Sequence, residues 1–364
     1  MKVFYVLAIL LLVIYTVPAQ ENGSNGKQYT LGVYILCDEP MTKHLEGHNV
    51  EEYFGAFFNV INLAFRQLAS PKVTFEVVTV DTTSSLDDLK TAYKAARLDG
   101  NRYLYGLWPE HISVTNGQIA DGTTTTQLSE YFKKAGEPYN NSHVIVLFTR
   151  RTVALHQVAH DDALSKGLAV HANPKRGGIC GADNIVIVQD DGVFSGIAST
   201  IRRLARLLGA NYDYAKEPNC LYSSSMLMGD ISQTRNYKMS PCTLQNLTAS
   251  LGEASKQGCL VKKFESKVAS TTKLPADLTN PDNYCAHIFP GKENIAQCTQ
   301  EKWSLSLYPS AETCEVLCCH GLIDSWKRNL FKMEGVGSLD GYPCDASGHT
   351  NGICVNGACE ARPT

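Results

Sequence analysis

The chain has 364 residues, 44% of them hydrophobic and 19% charged, which is enough apolar material for one full-sized core plus a smaller module and excludes a disordered tail. Its 33 lysines and arginines against 36 aspartates and glutamates give a formal charge of -3. That balance offers no general attraction to a phosphate backbone and excludes nucleic acid as a partner.

In chain order, Met1-Lys2 precedes an apolar run from Val3 to Val17 and the small-residue pattern Val17-Pro18-Ala19. This predicts a signal peptide over 1–19, cut after Ala19. Nothing later approaches the roughly 20 uninterrupted apolar residues of a membrane helix, so a secreted, extracellular protein without a membrane partner is expected. Residues 20–27, polar and rich in Gly and Asn, read as a flexible lead-in. Tyr29 to Leu36 alternates and branches like a strand. Tyr53, Phe57, Val60, Ile61 and Phe65 then fall at helical spacing within Val50–Leu68. Val73 to Val80 reads as a second strand, and Ser85-Leu86-Asp87-Asp88 opens a helix that Gly100 closes. His143–Phe148 and Asn184–Val188 are dense apolar runs of the kind buried inside a sheet, with a loop-rich stretch between them. Phe194, Ile197, Ile201, Leu204 and Leu208 give a helix with an apolar stripe that stops at Gly209. The alternation ends near Cys259. The Lys-, Ser-, Thr- and Pro-rich stretch that follows reads as a linker over 261–284.

None of the thirteen cysteines lies in the signal segment. Eight of them (Cys285, Cys298, Cys314, Cys318, Cys319, Cys344, Cys354 and Cys359) fall within 285–364 and mark a disulfide-stapled cysteine-rich domain. The other five, Cys37, Cys180, Cys220, Cys242 and Cys259, are an odd set, so one thiol is unpaired or bridges the domains. Cys37 is the candidate, with a buried free thiol at a strand end as the plain alternative. Asn22, Asn140 and Asn246 stand in glycan-acceptor triplets.

The segment Arg202-Arg203-Leu204-Ala205-Arg206-Leu207-Leu208-Gly209-Ala210-Asn211-Tyr212-Asp213 resembles the active-site helix of the reprolysin (adamalysin-like) metzincins, especially tick salivary metalloproteases. Its glycine and final aspartate match H-E-x-x-H-x-x-G-x-x-H-D. Ser225-Met226-Leu227-Met228-Gly229 looks like the Met-turn of that family, and Met239-Ser240-Pro241-Cys242 like the segment after it. Tyr53-Phe54 through Asn62-Leu63 and Gly177-Gly178-Ile179-Cys180 are similar too. The resemblance covers residues 28–260. It implies an α/β metzincin-like domain with a twisted, mixed five-stranded sheet, long helices and a cleft under the edge strand. It also implies the bridges Cys180–Cys259 and Cys220–Cys242, scaffold roles for Gly209, Asp213 and Met228, and a protein-binding module in the tail.

Every position that carries chemistry in that family is substituted. Arg202, Arg206 and Tyr212 stand where it places zinc-binding histidines, and Arg203 where it places the general base. A zinc ligand must offer a lone pair, which a guanidinium lacks, and two cations four residues apart share one helix face. Without metal or carboxylate, hydrolysis loses its electrophile and its base. The expectation is therefore no catalytic residue, no metal and no cofactor, with Asp190, Asp191 and Asp213 as candidate partners of the arginines. The implied function is a secreted, inactive metalloprotease homologue that binds a host or extracellular protein, such as a salivary modulator of haemostasis or immunity. One alternative is an active zinc endopeptidase with relocated ligands, for which His44/His48 and His156/His160 have the spacing. The other is an interaction protein acting through its cysteine-rich tail.

Overall fold

The computed structural model describes residues 27–82, 108–135, 141–154, 176–181, 184–213, 226–229, 237–298, 314–323, 329–346 and 349–362. The signal segment, Asn22, Asn140, Cys220, the expected helix of 85–100 and His156/His160 lie outside them.

Strand β1 (Gln28–Cys37) leads into helices α1 (Glu39–His44) and α2 (Val50–Phe65), then β2 (Lys72–Thr82). The short strands β3 (Val114–Thr115) and β4 (Gln118–Ala120) precede α3 (Asp121–Ala135), β5 (Val144–Thr149), β6 (Val153–Ala154) and β7 (Ile185–Gln189). Helices α4 (Ile197–Leu207) and α5 (Pro241–Lys256) complete the αβ region. After it come α6 (Pro275–Leu278), α7 (Pro281–Ile288), β8 (Ala296–Gln297), β9 (Glu315–Ile323), β10 (Asn329–Gly337), β11 (Pro343–Ala346), β12 (His349–Val355) and β13 (Ala358–Ala361).

The central sheet has the order β2-β1-β5-β7, and all three of its ladders are parallel. Both faces are covered, which is why its strands read as continuous apolar runs. Leu31, Val33, Ile35, Val144, Val146 and Phe148 face α2 and α4, while Tyr34, Leu36, Ile145, Leu147, Ile185 and Ile187 face Leu128, Tyr131 and Phe132 of α3. Alternate residues thus feed two cores. Phe54 and Phe57 of α2 close the first core on Phe148, at centroid distances of 4.7 and 5.1 Å. The expected mixed five-stranded sheet is, among the described residues, a parallel four-stranded one. The short antiparallel strand β3 pairs with β4, and β4 with β6, in a ladder of their own instead of extending the main sheet.

The polar stretch after α5 is ordered against the αβ region. Asn62 brackets Phe75 on the outer side of β2, donating to its carbonyl at 2.9 Å and accepting from its N–H at 2.7 Å. Just beyond, Ser266 Oγ donates to the Val77 carbonyl at 2.9 Å and the Lys267 N–H to the Val78 carbonyl at 2.8 Å. Asn59 then holds the Thr271 and Lys273 carbonyls, both at 2.8 Å. Residues 264–268 therefore lie as a strap along the outer edge of the sheet. Farther on, the Tyr237 hydroxyl donates to Asp340, the Tyr237 N–H to Asn356 Oδ1 at 2.9 Å, and His287 Nε2 sits 2.5 Å from Asp191. Burial pushes the Asp340 carboxyl above its ordinary range.

Cys180–Cys259 is bridged, and Cys242 is disulfide-bonded. The tail carries Cys285–Cys318, Cys298–Cys319, Cys314–Cys354 and Cys344–Cys359. Cys37 is free and buried at the end of β1, and burial followed by the neighbouring Asp38 charge pushes its thiol well up, so it is held as an unreactive thiol.

His143 enters β5 with its N–H on the Gly32 carbonyl at 2.7 Å, while its Nδ1 accepts the Gly32 N–H at 2.9 Å. Burial, and then the Lys262 charge, push this imidazole from 6.5 down to about 4. Folded His143 is neutral where the unfolded chain would bind a proton, so its contribution is complete above pH 6.5 and is lost as pH falls toward 4. His143→Asn keeps an acceptor for Gly32. It is expected to remove about 3 kcal/mol of the stability difference between pH 7 and pH 4, measured by urea unfolding of both proteins.

Candidate functional site

The helix that resembles a protease active-site helix is α4, and its start is fixed by a buried acid. Asp190, with no exposed surface, accepts the Tyr53 hydroxyl at 2.7 Å, the Gly192 N–H at 2.7 Å and the Gly196 N–H at 2.8 Å. An acid at this end also suits the helix dipole. Burial nevertheless raises the Asp190 carboxyl above its ordinary value. The helix ends at Gly209, where φ is +112° and a Cβ would stand 2.2 Å from Ser250 Cβ and 2.1 Å from its Oγ. A side chain is barred there by conformation and by α5 together. Gly209→Ala is expected to cost about 2–4 kcal/mol in chemical denaturation. Ser250→Ala should not rescue it, since the Ser250 Cβ itself is in the way.

Along α4 the three arginines have distinct surroundings. Arg202 is only 8% exposed. Its Nη1 donates to the Leu227 carbonyl at 3.0 Å and its Nη2 to the Gly229 carbonyl at 2.9 Å. The guanidinium therefore bolts the helix to the backbone on either side of Met228, which is fully buried. Arg203 points the other way, with Nη1 3.0 Å from Asp121 Oδ2 at the first residue of α3. Arg206 Nη1 reaches toward the Ala210 carbonyl at 3.5 Å. The Tyr212 ring lies between two of the cations, 5.1 Å from Arg202 Cζ and 4.7 Å from Arg206 Cζ, where its π face attracts both. Asp213 closes the constellation. Its N–H donates to the Met228 carbonyl at 3.0 Å, and its Oδ1 accepts from Ser240 Oγ at 2.7 Å. Ser240 in turn caps α5 by accepting the Thr243 N–H at 3.0 Å.

The structure therefore gathers Arg202, Arg206, Tyr212, Asp213, Met228 and Gly209 into one place. It sets Arg203 on a separate contact. Of the three acids expected beside the arginines, Asp190 serves the helix start, Asp191 meets His287, and Asp213 meets Ser240. The acid that Arg203 meets is Asp121, which sequence reasoning missed. Its signal was the triplet Leu128, Tyr131 and Phe132 at helical spacing, which places a helix, and an acidic start to it, over 121–135.

A zinc ion of the family type does not fit this set. Two of its three ligand positions present N–H groups only, and Nη1 and Nη2 of Arg202 already donate to two backbone carbonyls. A single phenol is the remaining donor. Among the described residues the three-ligand cluster with metal-like spacing is Cys314, Cys344 and Cys354, whose sulfurs are all in disulfides. His44 joins no such cluster and stands against the turn at Gly192. Asn246 sits partly exposed on α5.

No family model matches the chain. It is 23% identical over 347 residues to a Bombyx mori protein described as "A disintegrin and metalloproteinase with thrombospondin motifs like", covering 90% of this chain and 44% of that one. The chain thus spans less than half the length of this relative, and the likeness supports a relationship to metalloproteinase-like proteins. A solved structure titled "Structure of a chaperone-substrate complex" aligns with a TM-score of 0.37 and 8% identity over 66% of this chain and 36% of that one. An overlap that loose carries no argument. No helix among the described residues is long and apolar enough to cross a membrane.

Proposed function

We propose that this chain is a secreted, zinc-free relative of metalloproteinases that acts by binding an extracellular protein and does not hydrolyse peptides. The observation that carries the reading is the use made of Arg202. At a position that the resemblance assigns to a metal ligand, its guanidinium joins α4 to the Leu227 and Gly229 carbonyls. The group that stands where the resemblance calls for a lone-pair donor is thus a hydrogen-bond donor spent on joining the helix to the turn beneath it. Arg206 adds a second positive charge beside Arg202 at the Tyr212 ring, so a dication entering this space would meet repulsion. At the position of the general base stands a donor-only group whose contact is Asp121, so no side chain there takes a proton from water. What the scaffold retains is shape, through Gly209, Asp213 and Met228.

The test is elemental analysis of the purified, secreted full chain, joined to a peptide-cleavage assay with and without chelator. The expected result is zinc far below one per chain and no chelator-sensitive turnover. Near-stoichiometric zinc with chelator-sensitive cleavage would overturn the reading.

A further inference from the structure

Away from α4, a cavity of about 320 Å³ opens where β5, α3 and the Cys180–Cys259 disulfide meet, lined among others by Ser129, Lys133, Ser142, His143, Asn184 and Lys262. We propose that it binds a small oxyanion, the carboxylate or phosphate group of a ligand.

Because Nδ1 of His143 accepts the Gly32 N–H at 2.9 Å, the proton of the neutral ring is placed on Nε2. His143 is 4% exposed; the Cys259 backbone acts on its ring against the effect of burial, but its buried Nε2 makes no well-formed hydrogen bond among the described residues. A buried donor short of an acceptor is unfavourable, and an oxyanion entering the cavity would supply that acceptor.

Charge selects the class of ligand. Among the described residues the lining includes two lysines and no acidic residue. Lys262 is close enough to hold the His143 imidazole below its ordinary value, after burial itself. A cation is therefore disfavoured in this space, and an anion meets Lys133, Lys262 and the Nε2–H together. The volume is several times the ~30 Å³ that one water occupies, so there is room for a carboxylate or phosphate with part of the molecule that bears it.

The test follows the His143 ring resonances of the full chain by NMR while inorganic phosphate or acetate is added, with chloride at matched ionic strength as the control. Saturable shifts are expected with at least one oxyanion and not with chloride, together with a rise in the pH at which His143 titrates. The phosphate and acetate arms tell which group the site prefers. Half-saturation is expected to weaken roughly ten-fold in Lys133→Gln/Lys262→Gln. Both lysines are exposed, so this variant keeps the wild-type melting temperature. The proposal is overturned by an absence of saturation with both oxyanions, by an equal response to chloride, or by undiminished binding in the lysine variant.

Discussion

Arg202→Met is expected to lower the unfolding free energy by about 3 kcal/mol, or roughly 6–12 °C in Tm for a domain of this size. Methionine replaces most of the aliphatic stem, so the experiment isolates the guanidinium. Two charged hydrogen bonds disappear, and the Leu227 and Gly229 carbonyls, in a buried stretch around Met228, lose these donors. The substitution also removes the cost of burying a charge, which keeps the net effect below the sum of two such bonds. Arg202→Lys should recover less than half, because one ammonium cannot span both carbonyls as the planar fork does. Urea unfolding of the three proteins checks this. A change within 0.5 kcal/mol for Arg202→Met would show that the guanidinium does not brace the turn.

Asp121→Ala should have an effect of similar size through different physics. The pair Asp121–Arg203 spans 3.0 Å, with side-chain exposures of 2% and 13%, so removing the acid leaves a poorly hydrated cation and costs about 3–5 kcal/mol. Removing both charges avoids that penalty. Asp121→Asn/Arg203→Met should therefore regain more than half of the loss, and a double-mutant cycle measures the coupling. Because the pair is shielded, the coupling should change little between low and physiological salt, unlike that of a surface pair. A double variant no more stable than Asp121→Ala would mean that the acid acts mainly by capping α3.

These predictions bear on what the sequence made legible. The strands around 29–36, 143–148 and 184–188 and the helices starting near Val50 and Ile197 follow from the apolar pattern, because burial on one face leaves a period and burial on both leaves a continuous apolar run. The arginine positions were legible as a departure from a pattern. Their partners were not, for two physical reasons. The acceptors of Arg202 are backbone carbonyls, which every residue has, so no residue type announces them. Asp121 is 82 positions from Arg203, at the head of a helix whose run of threonines from 123 to 126 hides its apolar stripe. Asp190 misled for a related reason. Nearness in sequence to α4 suggested an arginine partner, but the turn brings the Gly192 and Gly196 N–H groups and the Tyr53 hydroxyl to it first. Among the described residues the main sheet has four strands, and segments of two or three residues such as β3 and β4 choose their neighbours by tertiary position, with little periodicity to read.

The strap over residues 264–268 has a consequence for handling the protein. An uncovered outer strand offers a row of free peptide groups to any extended chain, including a second copy of itself. Here Asn62, Ser266 and Lys267 occupy that row beside Phe75, Val77 and Val78. A nick or truncation near residue 264 would therefore do more than detach the tail. It would leave a sticky border, and such fragments should form aggregates in proportion to their concentration, while the intact chain stays dispersed.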